Sequence, residues 1–195
     1  MGAGGYVQAL VTIISGLAIA DIIISLNRVI RSHRRVRWDW LALVGVALAA
    51  VLVVVSWWLG WQMVANEAVR PTFGRFLLVL AQLTLLFLFA CAALPDDIPA
   101  EGVDLKTYYD ENSRYFWGLY SACAAMFLVK DVLLHGMHGP AGHGLVGAAW
   151  AALSLLAGVA LCLVRRRWLH MILAPLLLIT SIVPNLAWEL APAAG

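Results

Sequence analysis

The chain has 195 residues, of which 63% are hydrophobic and only 12% are charged, and its formal net charge is +2. This composition excludes an ordinary water-soluble domain, in which about 25% of residues are charged. The net charge is small and the basic residues cluster in loops, so nucleic-acid binding has no support.

Apolar runs of roughly 20 residues recur along the whole chain, and each can cross a hydrocarbon core about 30 Å thick. A backbone in lipid satisfies its polar groups only in a helix or a closed barrel, and the period-two alternation of a barrel is absent from this sequence. We therefore predict an all-α polytopic transmembrane helix bundle, forming one domain with about six spans. The expected spans are residues 6–27, 39–62, 75–94, 115–134, 144–164 and 168–189.

Basic residues are concentrated on one side of these six helices. Positively charged loops favour the cytoplasm, so we expect a bacterial inner-membrane protein with both termini on the non-cytoplasmic side. The loops after the first, third and fifth helices hold Arg28, Arg31, Arg34, Arg35, Arg37, Lys106, Arg114, Arg165, Arg166 and Arg167, whereas the opposite loops hold Arg70 and Arg75.

The first predicted helix contains Asp21 within an apolar run. A carboxylate in lipid is costly unless it is protonated, paired or facing water, so Asp21 is a candidate proton or cation site. The alternative is structural: Arg28, seven residues further along the same helix face, neutralises Asp21.

Tryptophans bracket the second and sixth predicted helices, and we expect them to anchor both ends at the headgroup level. Trp40 and Trp61 are 21 residues apart, and Trp168 and Trp188 are 20 residues apart. At about 1.5 Å per residue, both separations are roughly 30 Å, which matches the bilayer core. The lipid bilayer is therefore an expected partner.

The longest connection, residues 95–114, carries helix signals. Asp104 is placed to cap a helix, and Asp110 and Arg114 stand four residues apart as a favourable pair. We predict a short cytoplasmic interfacial helix that runs into the fourth span; the alternative is a fourth helix that extends beyond the membrane. The aromatic residues that favour an interface here are Tyr108, Tyr109, Tyr115, Phe116 and Trp117.

Polar side chains within the later spans are further candidates for a transport path. Gln82 lies in the third helix and Asn185 in the sixth. Lys130 and Asp131 are adjacent in the fourth helix and point in different directions, so they do not simply pair. We expect Lys130 to snorkel to the headgroups, whereas Asp131 is placed to meet His135 four residues later. Such groups also hold helices together without touching a substrate.

His135, His138 and His143 lie within nine residues, between the fourth and fifth helices. Three imidazoles this close form a candidate Zn or Cu site, although their spacing matches no established metal motif. The alternative is a flexible turn with solvated histidines. His170 is expected to be an interface anchor, and the facing pair of mid-membrane histidines that a b-type haem needs is absent from the sequence.

The sequence contains no nucleotide-binding or catalytic motif, so an enzyme is not expected. Two hypotheses remain. One is an accessory or scaffold subunit of a larger membrane complex, docking through small-residue helix faces such as that of the fifth helix. The other is a homo-oligomeric transporter or ion channel for protons or small cations, with a path lined by Asp21, Gln82, Lys130, Asp131 and Asn185.

Overall fold

The computed structural model describes residues 3–65, 72–135 and 143–186 of the chain. Within these ranges it contains six α-helices, two single turns of 3-10 helix and one pair of two-residue strands. The prediction of an all-α protein is confirmed, since 85% of the structure is helical. The helices are α1 (Ala3–Arg31), α2 (Trp40–Ala65), α3 (Phe73–Cys91), α4 (Leu105–His135), α5 (His143–Leu163) and α6 (Arg167–Ile182).

Two of these helices are long and apolar enough to cross a membrane, as judged over the described residues. They comprise Gly5–Arg31 of α1 and Trp40–Gly60 of α2. The other apolar helical stretches have 10–17 residues each: Phe76–Cys91, Ala149–Leu163 and Arg167–Ile182. The two long helices favour insertion of the chain into a membrane.

The helices pack side by side. The first three, α1, α2 and α3, all contact one another, while α4 packs against α3 and most extensively against α5, and α6 packs against α2. At one end of the bundle, Arg167 at the start of α6 contacts Asp39, just before α2, and Asp110 in the first part of α4. We call this the arginine-rich end; α1, α3 and α5 finish there, and α2, α4 and α6 begin there.

A short parallel strand pair joins two loops at the arginine-rich end. Strand β1 (Val36–Arg37) follows α1, and strand β2 (Val103–Asp104) precedes α4. Gly102 makes the pairing possible: its φ is +95°, and a Cβ there would collide with the carbonyl oxygen of Arg35. Glycine is the residue that accepts this backbone conformation at little cost. The pair fixes the loop after α1 against the start of α4.

The fourth helix is continuous from Leu105 to His135. The predicted helix that runs into the fourth span and the span itself are therefore one continuous helix, as in the alternative of a lengthened fourth helix; its position at a membrane interface stays a prediction. Asp104 caps the helix as predicted: its Oδ1 accepts hydrogen bonds from the backbone nitrogens of Lys106, at 2.9 Å, and Thr107, at 3.4 Å. The capped helix starts inside the arginine-rich end.

Aromatic side chains of α4 fill the core between the helices. Tyr109, Phe116 and Trp117 are buried, so the prediction that they lie at an interface is wrong. The Phe116 ring centroid is 4.6 Å from that of Phe89 in α3. On the α2 side, a Cβ added to Gly45 would lie 3.4 Å from the Phe116 ring, so the glycine lets the two helices approach. These rings tie α4 to α2 and α3.

The fifth helix lies at the edge of the bundle, against α4. At Gly158 it approaches so closely that an added Cβ would meet Tyr120 at 2.6 Å and Ser121 at 2.7 Å. Its other side exposes apolar residues such as Leu153 and Leu156. The small residues of α5 therefore permit close packing, but the helix does not take a central position.

Candidate functional site

Asp21, the acidic residue singled out in the first helix, is half-buried in α1. Its carboxylate is within hydrogen-bonding reach of the Cys91 thiol at the end of α3. Arg28 donates a hydrogen bond from Nη1 to the backbone oxygen of Asp96. Across the described residues Arg28 forms no ion pair with Asp21, so the structure does not support neutralisation by that arginine. Asp21 is therefore a carboxylate that forms no ion pair within the described residues.

Gln82, the polar residue singled out in the third helix, has no hydrogen-bond partner for its side chain among the described residues. It is 5% exposed, and both its Oε1 and Nε2 are buried. The hydroxyls of Ser15 (5% exposed) and Ser56 (8% exposed), and the side-chain amide of Gln8, are buried without a partner in the same way. We call Ser15, Ser56 and Gln82 the unpartnered polar layer; Gln8 lies seven residues before Ser15, roughly 10 Å away along α1. The indole nitrogen of Trp58, two residues after Ser56, is also unpaired.

The contact between α1 and α3 sets the relative depth of two members of this layer. Asp21 meets Cys91, and both helices run toward the arginine-rich end. Ser15 precedes Asp21 by six residues and Gln82 precedes Cys91 by nine. At about 1.5 Å per residue, they lie roughly 9 and 13 Å above this contact, less than one helical turn apart.

A hydrogen bond between α1 and α2 places the third member at the same depth. The Trp57 Nε1 donates to the Thr12 hydroxyl at 3.2 Å. Ser15 lies three residues beyond Thr12 toward the arginine-rich end, and Ser56 lies one residue beyond Trp57 in that direction. The two serines therefore differ in depth by roughly 3 Å. Three mutually contacting helices thus each contribute, at a similar depth, a buried polar side chain that has no partner among the described residues.

Such an arrangement is costly for a structure that gains nothing else from it. An unpaired buried donor or acceptor costs about 1–3 kcal/mol, and native proteins contain only a few. Apolar residues at the positions of Ser15, Ser56 and Gln82 would avoid this cost. The layer thus presents hydrogen-bonding capacity that the described part of the chain does not use.

A second polar cluster lies at the arginine-rich end. Arg167 is 2.6 Å from the Asp39 carboxylate through Nη2 and 3.0 Å from the Asp110 carboxylate through Nη1. Asp39 is 9% exposed and Arg167 is 28% exposed, so the Asp39 contact is largely withdrawn from water. The two terminal nitrogens of one planar guanidinium thereby connect the start of α6 to α4 and to the residue that precedes α2. The predicted partner of Asp110 was Arg114, but its ion pair is with Arg167.

Tyr109, Trp117 and His170 continue this cluster into the core. The Trp117 Nε1 donates to the Tyr109 hydroxyl at 2.9 Å, and the same hydroxyl lies 2.9 Å from Nδ1 of His170. The other ring nitrogen of His170, Nε2, lies 2.9 Å from the backbone oxygen of Val164. His170 is buried, so its expected role as an interface anchor is wrong. We call Asp39, Asp110, Tyr109, Trp117, Arg167 and His170 the Arg167 network.

The chemistry of the partner fixes one hydrogen of His170. A carbonyl oxygen only accepts, so Nε2 of His170 carries its hydrogen and donates to Val164. Nδ1 lies against the Tyr109 hydroxyl, which accepts from Trp117. Burial raises the pKa of Tyr109 well above its usual value, which keeps the phenol protonated. With both of its ring nitrogens engaged, His170 has no free position for haem iron.

Known proteins give no further guide to this chain. No family model, curated protein or solved structure matches it. The function is therefore argued from the geometry of the two polar clusters.

The other predicted transport residues are only partly described. Asn185 donates from Nδ2 to the backbone oxygen of Ser181, 2.6 Å away, within its own helical segment. Lys130 and Asp131 lie in α4, but their side chains are outside the described residues. The structure therefore buries Gln82 on the face of α3 that also carries Phe89, and the participation of Lys130 and Asp131 stays a prediction.

The proposed metal site and two of the aromatic anchors also fall largely outside the described part. His138 and Trp188 lie outside the described residues, and the same holds for the side chains of His135, His143 and Trp61. Within the described residues, no group of three or more possible metal ligands occurs. The remaining anchors, Trp40 and Trp168, are both exposed at the arginine-rich end.

Sequence reasoning named every member of the Arg167 network except Asp39 but gave these residues other roles, and it found Gln82 alone of the polar layer. Asp39 stands between Trp38 and Trp40 at the start of a predicted span, and an acidic residue at that place signals a buried pair. Ser15 belongs to the same inward helix face as the buried residues Val11 and Ile22, which follow helical spacing. A polar residue on that buried face could have been noticed in the sequence, but Ser15 is uncharged and lies within a long apolar run.

Proposed function

We propose that the chain is a multi-pass inner-membrane protein in which six helices cross the bilayer. The two long apolar helices support insertion, and the apolar stretches of α3, α5 and α6 are suited to accompany them. The arginine-rich end is the cytoplasmic end in this proposal, because basic loops remain in the cytoplasm. Both termini then lie on the opposite side. The exposed Trp40 and Trp168 suit the cytoplasmic headgroup level.

We further propose that the protein transports protons or small cations between α1, α2 and α3. The observation that carries this proposal is the unpartnered polar layer within an otherwise apolar helix group. Buried polar groups that serve packing alone are normally hydrogen-bonded to each other or to the backbone. Groups without partners at a similar depth on three neighbouring helices instead offer transient partners to a passing species.

Asp21 supplies the charged step of this path. It lies roughly 9 Å below Ser15, toward the cytoplasmic end, and its neighbour on α3 is the Cys91 thiol. Arg28 is engaged by the Asp96 carbonyl, so it leaves the Asp21 carboxylate available to a proton or cation. Ionisable groups within membrane helices commonly mark such pathways.

Flux measurements on Asp21→Asn test this proposal. The purified protein is reconstituted in liposomes that enclose a pH-sensitive dye, and a potassium diffusion potential drives cations inward. We expect the native protein to acidify the lumen and Asp21→Asn to slow this by about tenfold or more, since an amide cannot exchange the proton.

The matched control is Asp97→Asn, which removes an exposed carboxylate at the same end of the bundle. It should leave the flux unchanged. Absence of proton and cation flux through the native protein under any gradient would contradict transport, and equal slowing by both variants would contradict a specific role for Asp21.

A second candidate function, accessory subunit of a larger membrane complex, is favoured by the outer face of α5. This helix packs on α4 and leaves Trp150, Leu153, Leu156 and Leu163 exposed. Such a face suits contact with another protein as well as with lipid. Native mass spectrometry of the protein extracted gently from its own membrane separates the two. A homo-oligomer without partners favours transport, whereas a defined heteromeric complex favours the accessory function.

A further inference from the structure

Two contacts hold the connection between α5 and α6 against one turn of α4. Before the connection, the Cys162 thiol donates to the backbone oxygen of Arg114, 3.4 Å away. After it, Nη1 of Arg167 donates to the Asp110 carboxylate at 3.0 Å. Asp110 and Arg114 are only about 6 Å apart along the axis of α4. Residues 163–166 therefore stay close to this turn.

Three arginines around this turn have no acidic partner. Arg114, Arg165 and Arg166 are exposed, and none of them forms an ion pair within the described residues. Asp110, the predicted partner of Arg114, is bound by Arg167 instead. We call Arg114, Arg165 and Arg166 the arginine patch.

The arginine patch keeps an excess of positive charge. Glu111 is exposed on the same turn of α4, and among the described residues it is the one carboxylate of that turn outside the Arg167 network. Three guanidinium groups therefore surround one available carboxylate. A guanidinium matches the oxygens of a phosphate group, to which it can donate two parallel hydrogen bonds. The patch thus favours an anion that carries phosphate.

An exposed apolar stripe on α5 leads to the arginine patch. Leu153, Leu156 and Leu163 are 57%, 66% and 71% exposed and follow helical spacing on the outer side of the helix. From Leu153 to Leu163 the stripe is roughly 15 Å long, which is half of a hydrocarbon core about 30 Å thick. The stripe therefore has the length of the acyl region of one leaflet, and it ends two residues before Arg165.

Exposed aromatic rings stand beside the arginines. Tyr115 directly follows Arg114 and is 55% exposed, while Trp168 directly follows Arg167 and is 57% exposed. Tyrosine and tryptophan favour the headgroup level of a bilayer. Both rings therefore suit the depth at which the arginine patch would meet lipid phosphates.

We propose that the arginine patch and the apolar stripe together bind an anionic phospholipid of the cytoplasmic leaflet. The arginines hold the phosphate, and an acyl chain lies along Leu163, Leu156 and Leu153. A zwitterionic headgroup would bring its own cation close to the arginines, whereas an anionic headgroup does not. This inference rests on the proposed membrane placement, with the arginine-rich end in the cytoplasm, and is independent of transport.

The test is a lipid titration followed by native mass spectrometry. The detergent-purified, lipid-free protein is mixed with phosphatidylglycerol or, separately, with phosphatidylcholine, and the Kd of the first bound lipid is measured. We expect phosphatidylglycerol to bind more tightly. An arginine close to anionic lipid contributes about fivefold in affinity, so the double variant Arg165→Gln, Arg166→Gln should bind phosphatidylglycerol about 25-fold more weakly.

The matched control is the double variant Arg34→Gln, Arg35→Gln. These arginines are also adjacent, exposed and without an ion pair within the described residues, but they lie in the 3-10 turn before β1. The control lowers the net charge equally and should leave the Kd unchanged. Equal weakening by both double variants would overturn the site, because binding would then follow net charge. Equal affinity for the two lipids would overturn it as well.

Membrane placement is measured apart from lipid binding, by alkaline carbonate extraction of native membranes. Release of the protein into the soluble fraction would overturn the proposed placement and the lipid site with it. Retention in the membrane without a preference for phosphatidylglycerol would overturn the lipid site alone. If native mass spectrometry after gentle extraction shows a stoichiometric protein partner and no phospholipid, the stripe binds protein and the lipid inference is overturned.

Discussion

The two polar clusters of this bundle differ in charge and in how far their groups are paired. In the Arg167 network, charged and neutral side chains from α4, α6 and the loop before α2 each have at least one partner at 2.6–3.0 Å. Within the described residues, only Oδ2 of Asp39 in this network is buried without a partner. In the unpartnered polar layer, uncharged side chains from α1, α2 and α3 have none among the described residues. The same apolar bundle thus contains one cluster that joins helices and one that does not.

This difference separates a structural role from a functional one. Pairing converts buried polar groups into links between helices, while unpaired groups reduce stability and persist only where something else requires them. We therefore expect substitutions in the Arg167 network to destabilise the protein. Substitutions in the layer should instead alter transport.

The largest effect is expected from Arg167→Gln. The variant leaves Asp39, only 9% exposed, without its cation, and removes the link to Asp110 in α4. Breaking a buried ion pair costs about 3–5 kcal/mol; we expect about 3 kcal/mol here, because the Arg167 side chain is 28% exposed. The loss is measured as a lower Tm of the purified protein, followed by tryptophan fluorescence.

The control for this variant is Arg165→Gln, two residues earlier and exposed. It removes the same charge from the same end of the bundle without breaking either contact, so its Tm should match that of the native protein. If both variants lower the Tm equally, the loss reflects net charge rather than the network.

A smaller effect is expected from Tyr109→Phe. The change removes the hydroxyl that accepts from Trp117 and faces Nδ1 of His170, and it leaves both of those groups buried without a partner. We expect a loss of about 2 kcal/mol, measured from the same thermal transition. Tyr115→Phe removes an exposed hydroxyl from the same helix and should change the Tm little. A Tyr109→Phe variant as stable as the native protein would show that these contacts do not join the helices.

Helix positions could be predicted from the sequence because they depend on local properties. The apolar runs anticipate all six helices, and Asp104 signals the start of α4 through its capping side chain. The strand pair at Gly102 could not be predicted, because it depends on two loops that are about 65 residues apart meeting in space. The burial of Phe116 and Trp117 was missed for a similar reason: an aromatic ring suits a membrane interface and a helix core equally.

The candidate site could be predicted only in part. Asp21 and Gln82 stand out because a polar residue in an apolar run is conspicuous in sequence. The partner of Asp21 does not stand out, because whether Asp21 meets Arg28 or Cys91 depends on helix packing. Ser15 and Ser56 gain meaning only from lying at the same depth as Gln82, which requires the register between three helices.

The sharpest test of the comparison is the stability of Gln82→Leu. Leucine has a volume similar to that of glutamine and carries no polar atom, so it removes a buried acceptor and donor that lack partners. We expect this variant to be more stable than the native protein by about 1 kcal/mol, opposite in sign to the effect of Tyr109→Phe, and to transport more slowly. Tm and flux are measured on the same preparation, with Thr84→Val as the reference for an exposed position. If Gln82→Leu is less stable than the native protein, the amide has a structural partner and the layer resembles the Arg167 network. If the variant is more stable and keeps full flux, the layer is not part of the transport path.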